Sequence, residues 1–133
     1  RISSVQGVGV NGRAQGLVSV FARQVAMGGP ITVMGTGESV KDLVDITTVL
    51  DAIGDCILQP PSSSQILLVG SGQPTTVGEL AISLAELTGI DIVHIDADPN
   101  DLSGYVNCES APVDLQNMIE NIWRAVKIET GVA

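Results

Sequence analysis

Gly7-Val8-Gly9-Val10-Asn11-Gly12 has the G-x-G-x-x-G spacing that lets backbone amides at a strand-to-helix turn cradle a dinucleotide pyrophosphate. A strand-like run precedes it and a helical pattern follows, as that chemistry requires. Two features argue for a plain loop instead. Several residues separate Gly12 from the first apolar helical position, and no Asp or Glu lies about 20 residues on to hold a ribose. With 15 glycines in the chain a coincidental match is cheap, and glycines here would serve positive φ angles. Metal and nucleophile chemistry have less material still. His94 is the single histidine, and Cys56 and Cys108 stand far apart without metal-ligand spacing, which reads as a buried thiol pair. No H-E-x-x-H, nucleophile elbow or P-loop occurs. Neither a metal site nor catalysis by this chain alone is expected.

The elements that would position a site belong to one folded module of 133 residues. Hydrophobic residues make up 44% and charged residues 16%, a balance that supports a packed core, and no apolar run reaches the roughly 18 residues of a membrane span. Phe21, Tyr105 and Trp123 are the only aromatic side chains, so the core must be aliphatic and stacking platforms for bases are scarce. Six Lys and Arg against 15 Asp and Glu give a net charge of -9, which repels nucleic acid and anionic membrane alike. The first residue is Arg1 and no signal peptide opens the chain, which reads as a processed or excerpted cytoplasmic protein.

Residues 1–6 form a short strand leading into a glycine-rich loop over 7–16. Leu17, Val20, Phe21, Val25 and Met27 recur at helical spacing until Gly28-Gly29-Pro30 ends the helix. Residues 31–34 read as a strand and Gly35-Thr36-Gly37 as a turn. Residues 41–46 are extended, and Thr47 or Thr48 caps a helix carrying Val49, Leu50, Ile53, Ile57 and Leu58. Residues 60–64 form a loop. The apolar run 66–69 predicts a strand buried on both faces, followed by a turn at Gly70-Ser71-Gly72. Thr76 with Glu79 predicts a capping box opening a helix through Leu80, Leu84 and Leu87 that stops at Gly89. Residues 91–95 form a further strand. After a polar stretch over 96–110, residues 113–126 make an amphipathic helix with Leu115, Met118, Ile119, Ile122 and Val126 inward. Strands alternating with helices give an α/β class with at least partly parallel pairing.

Several segments, in order, carry a resemblance. Arg1-Ile2-Ser3-Ser4-Val5-Gln6-Gly7-Val8-Gly9 is similar to an arginine, strand and Val-Tyr-Gly-Pro-Gly segment, with Gln6 in place of tyrosine and Val8 of proline. Gly16-Leu17-Val18-Ser19-Val20-Phe21 resembles a substrate-domain helix, and Gly29-Pro30-Ile31-Thr32-Val33-Met34-Gly35-Thr36-Gly37 a strand and turn in which Thr36 replaces aspartate. Val40-Lys41-Asp42-Leu43-Val44-Asp45-Ile46 resembles Val-Arg-Asp-Tyr-Ile-His-Val, and Leu68-Val69-Gly70-Ser71-Gly72 resembles Asn-Val-Gly-Ser-Gly. Together they look like the C-terminal, substrate-binding part of the extended short-chain dehydrogenases/reductases, the NAD-dependent nucleotide-sugar epimerase and dehydratase family. The resemblance runs from residue 1 to about residue 123.

That resemblance implies an α/β fold comprising a substrate-side lobe and the last strands of a Rossmann-type parallel sheet, with the catalytic N-terminal half absent and residues 1–133 as one substrate-binding-type module. It implies that Leu17, Val18 and Met34 contact the nucleotide base, although any core helix and buried strand would carry the same apolar residues. Lys41 stands where an arginine clamps the substrate diphosphate. The positive charge is kept and the two-pronged donor geometry lost; a solvated lysine is the plain alternative. Asp98-Pro99-Asn100-Asp101 aligns with an Arg-Pro-Gly-Asp segment, so Asp98 would repel the diphosphate. Asp45-Ile46-Thr47-Thr48 likewise replaces a His/Tyr-Val-Asp-Asp segment.

Family members transfer hydride with a nicotinamide cofactor and a Tyr-x-x-x-Lys pair. Here Tyr105 is followed four residues later by Glu109, so no catalytic residue is assigned. NAD or NADP is expected for the intact family on the missing N-terminal half, and none on this chain alone. The missing Rossmann half, in the same polypeptide or another subunit, is the expected partner. A nucleotide-sugar is the expected ligand and an oligomer the expected state, because an open sheet edge and a mean hydropathy of +0.36 call for covering. Two functions remain: the substrate-binding portion of an NAD(P)-dependent epimerase, dehydratase or reductase, or a degenerate binding or scaffold module of the same fold. A free-standing dinucleotide-binding domain built on residues 7–12 ranks last.

Overall fold

Two inner strands organise the computed structural model, which describes residues 1–9, 11–96 and 113–133. Strand β1 (Ser4–Val8) pairs antiparallel with the two-residue β2 (Ala14–Gln15) on one edge and parallel with β4 (Val40–Asp45) on the other. The parallel register sets Ser4 against Leu43 and Gln6 against Asp45. Strand β5 (Pro74–Thr76) adds antiparallel to β4, giving the order β2-β1-β4-β5. A second sheet holds only β3 (Ile31–Met34) and β6 (Ile92–Ile95), parallel and in register over all four residues. Mixed pairing with parallel crossovers is the α/β class expected.

Among the described residues α1 (Leu17–Ala26), α2 (Ile46–Leu58) and α3 (Val77–Thr88) connect strands, and α4 (Leu115–Thr130) follows β6. The core is aliphatic. Val18, Phe21, Ala22 and Val25 of α1 meet Leu80, Ala81 and Leu84 of α3 and Met118, Ile119, Ile122 and Val126 of α4, over Ile31 and Val33 of β3. Each such large side chain removed from water contributes about 1.5–3 kcal/mol. The α3 boundaries follow local signals: Thr76 and Glu79 form the reciprocal capping box, and Gly89 closes the helix in the left-handed conformation at φ 71°.

Several expectations are corrected. Residues 7–16 are not a plain loop, because Ala14 and Gln15 return as β2 against Gly7 and Val8. Val20 of α1 and Met27, which follows the helix, are exposed, while Val18 and Ala22 join Phe21 and Val25 in the core. Asp45, not Thr47 or Thr48, caps α2: its carboxylate accepts from the Thr47 N–H at 2.8 Å. Residues 66–69 do not form a buried strand, since Val69 makes one isolated parallel bridge to Ile2 and Ile66, Leu67 and Leu68 are exposed. Cys56 is an exposed free thiol, which overturns the buried thiol pair on that side. Cys108 lies outside the described residues, as do Asp98, Asn100, Asp101, Tyr105 and Glu109.

Candidate functional site

The end of β1 crosses the start of α2 at Gly7, which adopts φ 149° and has no room for a side chain: a Cβ there would overlap Ile46. The glycine turn beyond it is a closed hairpin. Gly9 N–H donates to the Arg13 carbonyl at 2.9 Å, Gly12 N–H to the Gly9 carbonyl at 2.9 Å, and Arg13 N–H to Asn11 Oδ1 at 3.1 Å. Amides already bonded within the hairpin cannot also cradle a pyrophosphate, and β2 intervenes before the helix. These residues do not fit a dinucleotide.

The start of α1 has no capping side chain of its own, because its N-cap is Gly16. Gln6 supplies the acceptor instead: its Oε1 takes the Val18 N–H at 3.1 Å, while Nε2 donates to Ser4 Oγ at 3.1 Å. Gln6 is fully buried, and its bond to the Val18 N–H lies away from water. Sequence reasoning registered Gln6 only as a replacement for tyrosine. The usable signal was a helix opening on glycine, whose orphan amides need a partner from elsewhere.

Beside Gly7, a cleft of about 500 Å³ lies between the first turns of α2 and α4. Asp45, Thr47, Thr48, Asn117 and Asn121 give it polar walls, and Met118 and Ile122 an apolar floor. Asp45 Oδ1 is engaged by Thr47 N–H at 2.8 Å and the Thr47 hydroxyl at 2.6 Å, and Asp114 Oδ1 by Asn117 N–H at 3.0 Å. One amide at the start of each helix thus already serves a carboxylate of the chain. Hydroxyls, amides and two carboxylates, with no Lys or Arg in the described lining, suit a neutral hydroxyl-rich group better than a bare diphosphate.

The four residues singled out from sequence fall on three elements. Leu17 opens α1 half-buried against the core, and Val18 is wholly inside it. Met34 ends β3 opposite Ile95 and is 55% exposed. Lys41 lies half-buried in β4 opposite Thr75, on the same strand face as Leu43 and Asp45 by alternation. Four residues of strand put Lys41 about 13 Å from the Asp45 end and its cleft. Helix α1 packs on β3 over Ile31 and Val33, so by alternation Met34 points to the opposite strand face from Leu17, and the Gly35–Gly37 turn leads on from Met34 towards Lys41. His94 in β6 braces that turn, its Nδ1–H donating to the Gly35 carbonyl at 2.8 Å.

No protein-family profile and no curated protein sequence matches the chain. Solved structures do. A UDP-glucose 4-epimerase from Thermotoga maritima, determined with UDP-glucose, aligns at a TM-score of 0.79 over 97% of this chain and 45% of its own, with 21% identity. A UDP-glucuronic acid 4-epimerase from Bacillus cereus, in complex with UDP-glucuronic acid and NAD, gives 0.79 over 97% and 44%, with 14% identity. An NAD-dependent NDP-hexosamine 5,6-dehydratase of tunicamycin biosynthesis gives 0.79 over 96% and 45%, with 19% identity. The chain therefore has the fold of part of the NAD-dependent nucleotide-sugar epimerases and dehydratases and spans less than half their length.

Proposed function

We propose that this chain is the substrate-side lobe of a nucleotide-sugar-binding protein of epimerase or dehydratase architecture, acting with a second lobe that carries NAD or NADP. The observation that supports the reading is nearly complete structural coverage of the chain, 96–97%, by a part of enzymes determined with or named for nucleotide-sugars. In this reading Leu17 and Met34 border the base and Val18 holds the α1 start in place. Lys41 offers charge to the diphosphate, and the polar cleft takes the hydroxyl-bearing end. The chain binds and orients; no step of hydride transfer is assigned to its residues.

Isothermal titration calorimetry with UDP-glucose and dTDP-glucose tests this. Saturable heat that falls about tenfold in affinity on Lys41→Ala, the scale of a lost hydrogen bond to a charged group, supports the reading. Silence with both sugars favours the second reading, a non-catalytic binding or scaffold module. The carboxylates of Asp45 and Asp114 in the cleft and the net charge of -9 speak for that alternative, because like charge in a desolvated site costs several kcal/mol.

A further inference from the structure

The G-x-G-x-x-G stretch, which does not fit a dinucleotide, ends in the only Asn-Gly pair of the chain, Asn11-Gly12. The backbone nitrogen that follows an asparagine can attack the side-chain Cγ and close a succinimide ring, and glycine at that position puts no side chain in the way. Asn11 and Gly12 are both exposed, and a Cβ on Gly12 would meet nothing within 4 Å. The Asn11 side chain is folded back along its own backbone, with Oδ1 accepting the Arg13 N–H at 3.1 Å. That N–H polarises the side-chain carbonyl and stabilises the negative charge that gathers on Oδ1 when Cγ is attacked. One bond opposes the step: Gly12 N–H donates to the Gly9 carbonyl at 2.9 Å. It is a single bond in an exposed turn, the kind that opens at small cost. Asn117 and Asn121 lack this freedom inside α4, where the Met118 N–H is held by the Asp114 carbonyl at 3.0 Å and the Asn121 amide bonds Asn117 Oδ1 at 3.2 Å.

We propose that Asn11 is a site of spontaneous covalent modification, cyclising onto Gly12 and opening with water to aspartate or isoaspartate, and that the isoaspartate form releases β2 from the sheet. The Gly12 amide gives its proton to hydroxide and its nitrogen bonds to Asn11 Cγ. The Cγ–Nδ2 bond breaks, and the nitrogen leaves as ammonia with a proton taken from water. Water then adds to either ring carbonyl and breaks that carbonyl's bond to the ring nitrogen, which recovers a proton. Opening at the side-chain carbonyl gives aspartate; opening at the main-chain carbonyl gives isoaspartate. In isoaspartate the main chain runs through Cβ and Cγ, so the turn gains one backbone carbon. The Gly9 N–H to Arg13 carbonyl bond of 2.9 Å closes the hairpin that sets Gly7 against Gln15 and Val8 against Ala14. The longer turn breaks that closure, and a strand of two residues has no other hairpin bond to hold its register.

The native protein at full length is incubated in water enriched in heavy oxygen, at neutral and mildly alkaline pH. The peptide holding residue 11 is followed by mass spectrometry, and isoaspartate is counted with an isoaspartyl methyltransferase. Expected is the gain of one solvent oxygen at residue 11, with more isoaspartate than aspartate, while Asn117 and Asn121 stay intact. The rate should rise about tenfold for each unit of pH, because the attacking amide must first lose its proton. It should stay within about tenfold of the rate in urea, because an exposed turn opens readily. Asn11→Gln keeps an amide but cannot close the succinimide, and should abolish the conversion. In the separated isoaspartate fraction, amide exchange should accelerate over β2 and remain unchanged over α3. Conversion in the native fold more than about tenfold slower than in urea means that the hairpin protects Asn11, and overturns the site. An isoaspartate fraction whose β2 exchange matches that of the unmodified protein overturns the release of the strand.

Discussion

Asp42 Oδ1 accepts two hydrogen bonds from Ser71, one from its backbone N–H at 2.7 Å and one from its hydroxyl at 2.5 Å. Both residues are buried, and Gly70 passes so closely that a Cβ there would collide with Asp42 Oδ2 and Ser3 Oγ. This pair fastens β4 to the turn that follows residue 69. Asp42→Ala leaves a buried amide and hydroxyl without acceptor and should cost about 1–3 kcal/mol, while Ser71→Ala keeps the backbone bond and should cost about 1 kcal/mol. Urea titration of both variants measures the difference; equal losses would contradict the assignment.

Gln6 should matter to α1 more than to the sheet that contains it. Gln6→Leu keeps the volume but removes the acceptor for the Val18 N–H, at a cost of about 1–2 kcal/mol, the range of a lost helix cap. Amide hydrogen exchange should accelerate at Val18 ahead of β1. Uniform acceleration across β1 and α1 would assign Gln6 a packing role only.

The capping box of α3 makes a pH prediction. Thr76 N–H donates to Glu79 Oε2 at 2.8 Å and its hydroxyl to the same oxygen at 3.0 Å, and these bonds hold the Glu79 carboxyl below its ordinary value. A carboxyl depressed in the folded state adds stability that is complete above its unfolded pKa and lost as pH falls through the folded one. Wild type should therefore lose stability below about pH 4.5 more steeply than Glu79→Gln, and Thr76→Ala should cost about 1 kcal/mol at neutral pH. Parallel acid-unfolding curves for wild type and Glu79→Gln would refute the link.

Two glycines should respond to alanine with opposite signs. Gly7 combines φ 149° with a Cβ position that overlaps Ile46, so Gly7→Ala should destabilise by more than about 1 kcal/mol. Gly54 sits inside α2 with nothing within 4 Å of its Cβ position, so Gly54→Ala should stabilise by about 0.5–1 kcal/mol. Thermal melts of the two variants read the signs directly.

Sequence was informative where one segment carried its own signals. Thr76, Glu79 and Gly89 mark both ends of α3, and the inward residues of α4 follow one helical stripe whose Met118, Ile119, Ile122 and Val126 are all buried. The short strands were invisible: Ala14–Gln15 and Pro74–Thr76 have no hydrophobic alternation and exist only through distant partners. On α1, ten residues leave the helical phase ambiguous, and Val18 rather than Val20 took the core position. Residues 66–69 were rightly read as apolar, but apolarity does not say what covers a strand. At the site, Lys41 and Met34 were visible as residue types. The roles of Gln6 and Asp42 depend on segments 12 and 29 residues away and leave no local pattern.

Arg23 reaches Ala14 O at 2.7 Å and Glu129 at 3.1 Å, the latter across 106 residues of sequence. Around it α1 and α4 share the core, so α1 packs against a helix made much later in the same chain. A chain emerging from the ribosome therefore carries Val18, Phe21 and Val25 without their α4 partners until residue 126 has cleared the exit tunnel. The core of this module should therefore close late, only once both helices are free to meet.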